Sequence, residues 1–189
     1  NLLFIMGNFY LDIETTGLDT NKDQIITIQY QELDRSTGQS KGELEILKAW
    51  ESSEKEILQK FISESNILDP YPFTFIPVGY NLGFEHNFLK RRAEINGLHP
   101  IDILNKPFID LRFIGVIMNK GEFKGSGLDK ITGKASSGIN IPIWHNNKEY
   151  DKIINYIKNE TEEFIKFNVW LYHKLPNLLI DFKKEHNLS

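Results

Sequence analysis

The chain has 189 residues, 40% of them hydrophobic and 12% aromatic, with a formal net charge of −4. That length reads as one domain whose core removes roughly 70% of the unfolded chain's surface from water, and the hydrophobic share excludes intrinsic disorder. No apolar run reaches the length of a membrane-spanning helix, and the absence of cysteine excludes disulfides, thiolate metal sites and cysteine catalysis.

A cysteine-free composition fits a reducing, cytoplasmic compartment. The negative charge is not the footprint of a protein that binds nucleic acid by bulk charge. It is compatible with an enzyme acting on nucleic acid, because a metal-binding carboxylate cluster itself adds negative charge. Asn1–Phe9 lacks the cationic start and small-residue cleavage site of a signal peptide, and Met6 is a candidate native start.

In chain order, Phe9–Ile13 reads as a first strand, ending in Asp-Ile-Glu and punctuated by Thr15-Thr16-Gly17. Gln24–Leu33, rich in β-branched residues, reads as a second, antiparallel strand. Arg35–Gly38 is a turn, and Glu43–Trp50 alternates as a third strand. Ser53-Glu54-Lys55-Glu56 has the capping-box spacing and opens a helix with Ile57, Phe61 and Ile62 on one face, stopped by Asp69-Pro70. Phe73–Tyr80 reads as a buried strand, and a helix from about Phe84 to Asn96 ends at Gly97. Ile109–Asn119 is apolar at helical spacing, Gly125–Ile131 predicts a short helix, and residues 133–147 read as loop. Lys148–Leu175 predicts the longest helix, ended by Pro176, with a last amphipathic stretch over Asn177–His186. Strands first, then strands mixed with helices, predict an α/β fold with a partly antiparallel sheet.

Asp12 and Glu14 are the sharpest chemical feature. Residues two apart on a strand point to one face, so two carboxylates stand side by side at the end of a core strand. The pair alone reads equally as two solvated acids at a strand end or as carboxylates whose repulsion a hard divalent cation removes. Glu85 opens a predicted helix just after Asn81 and Phe84. Tyr156 and Glu160 are four apart on the long helix and share a face. Lys90-Arg91-Arg92 is the one dense basic cluster, and reads more readily as a solvated helix face than as a phosphate contact. Phe164, Phe167 and Trp170 read as core packing. Lys183-Lys184 in the tail has no assigned role.

The string Asp12-Ile13-Glu14-Thr15-Thr16-Gly17-Leu18 resembles the first motif of the DEDD 3′–5′ exonucleases, a family that includes DNA polymerase proofreading domains. Val78–Leu89, with Asn81, Phe84 and an acid at Glu85, resembles the second motif, with Glu where the family has Asp. Tyr156-Ile157-Lys158-Asn159-Glu160 resembles the Tyr-x-x-x-Asp third motif of the tyrosine branch, again with Glu for Asp. The histidine branch fits less well, because His145 and Asp151 are one residue too far apart, so His145 reads as a surface loop residue.

The resemblance covers roughly residues 9–175 of a single domain, 1–189. It implies a ribonuclease H-like fold: a mixed five-stranded sheet with helices on both faces. It also implies a metal-dependent 3′–5′ exonuclease using two Mg²⁺ or Mn²⁺ ions. Asp12, Glu14, Glu85 and Glu160 would hold the metals, and Tyr156 would orient the attacking water. Thr15, Leu18, Asn81 and Phe84 would bind the substrate, a DNA or RNA 3′ end, with a polymerase or another replication or repair protein as a possible partner. The alternative implied by the two Glu-for-Asp departures is a weakened or inactive domain on this scaffold that binds nucleic acid or a protein.

Overall fold

The computed structural model describes residues 7–133 and 138–188. Alternation along the first three strands produces the predicted meander: β1 (Asn8–Thr15), β2 (Ile25–Leu33) and β3 (Ser40–Lys48), each antiparallel to the one before. After helix α1 (Glu54–Ser65) the chain crosses to β4 (Ile76–Gly79), parallel to β1. Helix α2 (Leu82–Ile95) leads on to the two-residue β5 (Ile109–Asp110), parallel to β4. The sheet order is β3-β2-β1-β4-β5, a mixed five-stranded sheet. The short helices α3 (Arg112–Met118), α4 (Leu128–Thr132) and α5 (Ile141–Asn146) follow, and then the long α6 (Tyr150–Glu185).

The pleat sorts the core into two layers. On one face of the sheet Leu11, Ile13, Ile28 and Tyr30 pack against Ile57, Leu58 and Phe61 of α1 and Leu82, Phe88 and Leu89 of α2. On the other, Tyr10, Leu33 and Val78 pack against Leu128 of α4 and Phe164, Phe167 and Leu171 of α6. Helices therefore cover both faces. Asp12 and Glu14 share the face of Tyr10, opposite Gln29 and Thr27 in the β1–β2 register.

The helix ends follow local chemistry. Ser53 caps α1, its hydroxyl accepting the Glu56 N–H at 3.2 Å. The helix stops earlier than the proline signal predicts, because Asn66 takes the left-handed conformation that ends a helix. Gly97, also left-handed, follows α2 as predicted.

Ile109–Asn119 is not one helix: β5 takes its first two residues, and Asp110 makes the break by accepting the Arg112 N–H at 3.0 Å. Part of the 133–147 stretch falls on residues 134–137, outside the described set. Its second half is helical, with Pro142 in the first turn of α5, where a missing N–H costs nothing. His145 is consequently a half-buried helical residue, its ring 6.4 Å from Trp50 and 6.1 Å from Tyr150.

Pro176 does not end the long helix. It sits inside α6, where an interior proline costs about 3 kcal/mol. The carbonyl that loses its helical partner is that of half-buried Tyr172, directly before the exposed residues 173–188. Trp170 is 44% exposed and stacks at the surface on Phe167, whereas Phe164 and Phe167 are core, because a three-residue spacing drifts off a 3.6-residue helical face. No helix among the described residues is long and apolar enough to cross a membrane. Asn1–Met6, including the candidate start, lie outside the described residues.

Candidate active site

Three elements deliver carboxylates to one place. β1 supplies Asp12 and Glu14 from its polar face, α6 supplies Glu160, and oxygens of all three lie within 4.8 Å of one another. α2 supplies Glu85 from its first turn, and its carboxyl meets that of Asp12 in a hydrogen bond that favours the proton on Glu85. No hydrogen-bond donor among the described residues reaches the buried Glu85 Oε2. Gln29 Nε2 donates to Asp12 Oδ2 at 2.8 Å, and the Tyr10 hydroxyl donates to the same oxygen at 3.3 Å.

The electrostatics register the crowding. Burial, then the Glu160 charge, pushes Asp12 up to about 7, against the lowering effect of Gln29. Burial, then the Asp12 charge, holds Glu85 well above the usual carboxylate range. Tyr156 is buried, and its hydroxyl is held in the neutral form first by burial, then by the charges of Glu160 and Glu14. It also hydrogen-bonds Glu160, as expected of residues four apart on a helix. Gly138 comes so close that an added Cβ would stand 3.3 Å from the Tyr156 hydroxyl and 3.8 Å from Glu14 Oε2.

The turn after β1 is built by residues the motif carries and one it does not. The Thr15 hydroxyl donates to the Gly17 carbonyl at 2.6 Å, and the Gln24 N–H donates to Thr16 Oγ1 at 2.9 Å. Asp23 Oδ2 accepts the Asp19 N–H at 2.8 Å, and it would stand only 2.4 Å from a Cβ on residue 17, so a side chain there would push Asp23 out of that bond. Leu18 is presented at the tip, 86% exposed. Phe84 is half-buried, its ring 4.9 Å from Phe88. Asn81 is left-handed at φ 77° before α2, and Asp110 fixes that entry by accepting the N–H groups of Asn81 and Leu82 at 2.9 and 3.0 Å.

The basic cluster divides three ways. Lys90 pairs with Asp102 at 2.9 Å, Arg91 with Glu94 at 3.1 Å, and Arg92 is buried against Glu54. Its expected reading as a solvated face therefore fails for Arg92, which is a structural cation.

Sequence reasoning missed Gln29, Asp110 and Arg112. A signal existed for the first: Thr27, Gln29 and Gln31 alternate within an apolar strand, and all three are buried on the face that β1 shares with its acids. Asp12, Glu160, Tyr80, Asn81 and Arg112 line one cavity of about 210 Å³. A larger one of about 450 Å³, beside Gln31, Leu44 and Ile165, contains none of the predicted site residues.

A family model described as the RNase H superfamily matches residues 9–137, more than half of the chain. The chain belongs to the RNase H superfamily. Among solved structures, the zinc-bound form of the E. coli ExoI–ssDNA complex matches at 15% identity and a TM-score of 0.57, covering 95% of this chain and 43% of that one. Exonuclease I in complex with the inhibitor BCBP matches at 14% identity and a TM-score of 0.51, covering 72% of this chain and 38% of that one. These likenesses show the shared fold, and the chain spans less than half the length of either structure. No curated protein matches in sequence.

The residues present suit divalent cations. Carboxylate oxygens are hard donors of the kind Mg²⁺ and Mn²⁺ take, and a buried carboxylate oxygen without a partner is the atom such an ion or its water would satisfy.

Proposed function

We propose that this chain is a metal-dependent 3′–5′ exonuclease of the tyrosine branch, one domain hydrolysing phosphodiester bonds at nucleic-acid 3′ ends. The observation that carries this reading is the convergence of β1, α2 and α6 carboxylates beside the Tyr156 hydroxyl, on the fold that the superfamily match shows.

Asp12, Glu14 and Glu160 would hold the ions, with Glu85 supporting them from the Asp12 side. Bound divalent ions would supply an ionised water near neutral pH and neutralise charge on the leaving oxygen. The protein's own groups do the rest. Tyr156, kept neutral, donates its hydroxyl hydrogen to Glu160, which fixes the ring's orientation and leaves the hydroxyl oxygen to accept a hydrogen bond from the attacking water. Leu18, exposed after the Thr-Thr-Gly turn, offers an apolar surface to the terminal base. Thr15 shapes that turn, and Asn81 and Phe84 border the path of the strand. The two glutamates in place of aspartate are compatible with this scheme: the extra methylene at residue 85 brings its carboxyl into direct contact with Asp12, and Glu160 still lies within 4.8 Å of Asp12 and Glu14.

The test is a 5′-labelled single-stranded oligonucleotide, DNA and RNA in parallel, incubated with Mg²⁺ or Mn²⁺. A ladder that shortens one nucleotide at a time from the 3′ end, and that a chelator abolishes, is expected. Internal cleavage would indicate an endonuclease. No cleavage of either substrate would leave the scaffold as a binding domain.

A further inference from the structure

Among the described residues Arg112 is the one guanidinium lining the acidic cavity, and neither the motifs nor the superfamily match explains it. It is the first residue of α3, placed there by the Asp110 turn, and half-buried in the wall that also holds Asp12 and Glu160. Its Nη1 donates to Asn81 Oδ1 at 2.7 Å, and its guanidinium carbon stands 5.9 Å from the centre of the Phe123 ring. Its Nε is buried without a hydrogen-bond partner. The nearest sequence acid, Asp110, is engaged elsewhere: its oxygens accept the backbone N–H groups of Asn81, Leu82 and Arg112.

Held by an amide oxygen and a ring, with a buried N–H unspent, this arginine is oriented and has no ion-pair partner among the described residues. The cavity beside it collects the carboxylates that would take cations. A guanidinium is a poor addition to a metal site but a good partner for an anion entering it. Its planar fork matches a phosphate's oxygens bidentately, and it stays charged at any working pH.

We propose that Arg112 is a substrate-binding residue that grips a backbone phosphate of the single strand in this cavity. The inference rests on the nuclease reading for its substrate class. Asn81 acts through it as a positioning residue, setting the fork's direction. Phe123, 57% exposed, backs the guanidinium's face.

The test measures binding and turnover separately on the full chain. A fluorescent single-stranded oligonucleotide is titrated by anisotropy in Ca²⁺, over a series of salt concentrations, with wild type, Arg112→Gln and Arg112→Lys. Arg112→Gln should weaken binding roughly 10- to 100-fold, the range of a hydrogen bond to a charged group. The slope of log affinity against log salt should fall by about 0.7, the loss of one phosphate contact to a single strand. Arg112→Lys should keep the slope while losing part of the affinity, since it retains the charge but not the fork. In the Mn²⁺ assay the Arg112→Gln defect should appear mainly in KM. An unchanged salt slope in Arg112→Gln overturns the inference and makes the residue a structural clip for Asn81, whatever the cleavage result. Wild type that binds but never cleaves, with the slope still lowered in Arg112→Gln, sinks the nuclease reading and leaves the phosphate contact standing. Wild type that does not bind the oligonucleotide overturns both.

Discussion

Glu54 and Glu85 are both buried glutamates, at 9% and 4% exposure, and the fold treats them in opposite ways. Glu54 accepts four hydrogen bonds: from the Ile25 N–H at 2.8 Å, Arg92 Nε and Nη2 at 2.9 and 2.7 Å, and Asn96 Nδ2 at 2.9 Å. Its charge is compensated inside the protein, so its role is complete when the chain has folded. Glu85 has another carboxylate, Asp12, as its neighbour, and one of its oxygens has no partner. It is satisfied in the isolated chain only by keeping a proton. Burying an acid is common to both sites; supplying the cation is not. Where the fold supplies one, the acid is structural, and where it withholds one, the acid is left in the state that a cation from solution would relieve.

The largest effect that would break this comparison is on activity. Asp12→Ala should lower nuclease turnover by roughly 1,000-fold or more, because it removes the carboxylate central to the cluster. The folding stability should hold or rise, since a repulsive neighbour is gone. Oligonucleotide turnover and thermal melting, measured on one preparation, check both halves. Next comes the compensated acid. Glu54→Gln leaves Arg92 buried without its countercharge and should cost about 3 kcal/mol, lowering Tm on the order of 10 °C, with the metal requirement unaltered. Tyr156→Phe keeps the ring packing and loses only the hydroxyl, so turnover should fall about 10- to 100-fold with KM little changed.

The smallest effect is the most diagnostic. Glu85→Gln is the same chemical change as Glu54→Gln, yet it should leave stability at neutral pH unchanged or raised by up to about 1 kcal/mol, because the amide donates to Asp12 without needing a proton. The pH dependence follows from the sign of the shifts. Asp12 titrates near 7 in the metal-free fold and near 4 when unfolded, so between those values the folded state binds more protons. Stability of the metal-free protein should therefore be greatest below about pH 4 as far as this group is concerned, and decline as pH rises to about 7. Urea melts across that range should show the decline in wild type and a shallower one in Glu85→Gln. A destabilised Glu85→Gln would make Glu85 structural, like Glu54.

Much of this was legible in the sequence for a physical reason: strand periodicity is rigid. Once Phe9–Ile13 is a strand, Asp12 and Glu14 must share a face, and the meander fixes their neighbours. The fold class and the helix caps at Ser53 and Gly97 followed from equally local rules. What was hidden depends on tertiary closure. Ile109, Phe113 and Val116 have helical spacing, and only the pairing of Ile109 with Val78 converts the first of them into strand. With β5 unseen, Asp110 and Arg112 had no place beside Asn81. Ile141–Asn146 lies in a Gly-, Ser- and Asn-rich stretch, and burial of Ile141 against Ile26, Ile153 and Ile157 overrides that composition. Arg92 looked like one of three surface cations because its partner is 38 residues away.

Isothermal titration of the metal-free protein with Mn²⁺ near pH 6.5, in buffers of differing ionisation enthalpy, addresses the central claim most directly. Wild type should bind Mn²⁺ and release protons as it does so, because Asp12 and Glu85 must give up the protons that stabilise them in the empty cluster. Glu54→Gln should behave as wild type, and Asp12→Ala should lose both the binding and the proton release. Mn²⁺ binding that survives Asp12→Ala, or that releases no protons in wild type, would contradict the assignment of this cluster as the metal site.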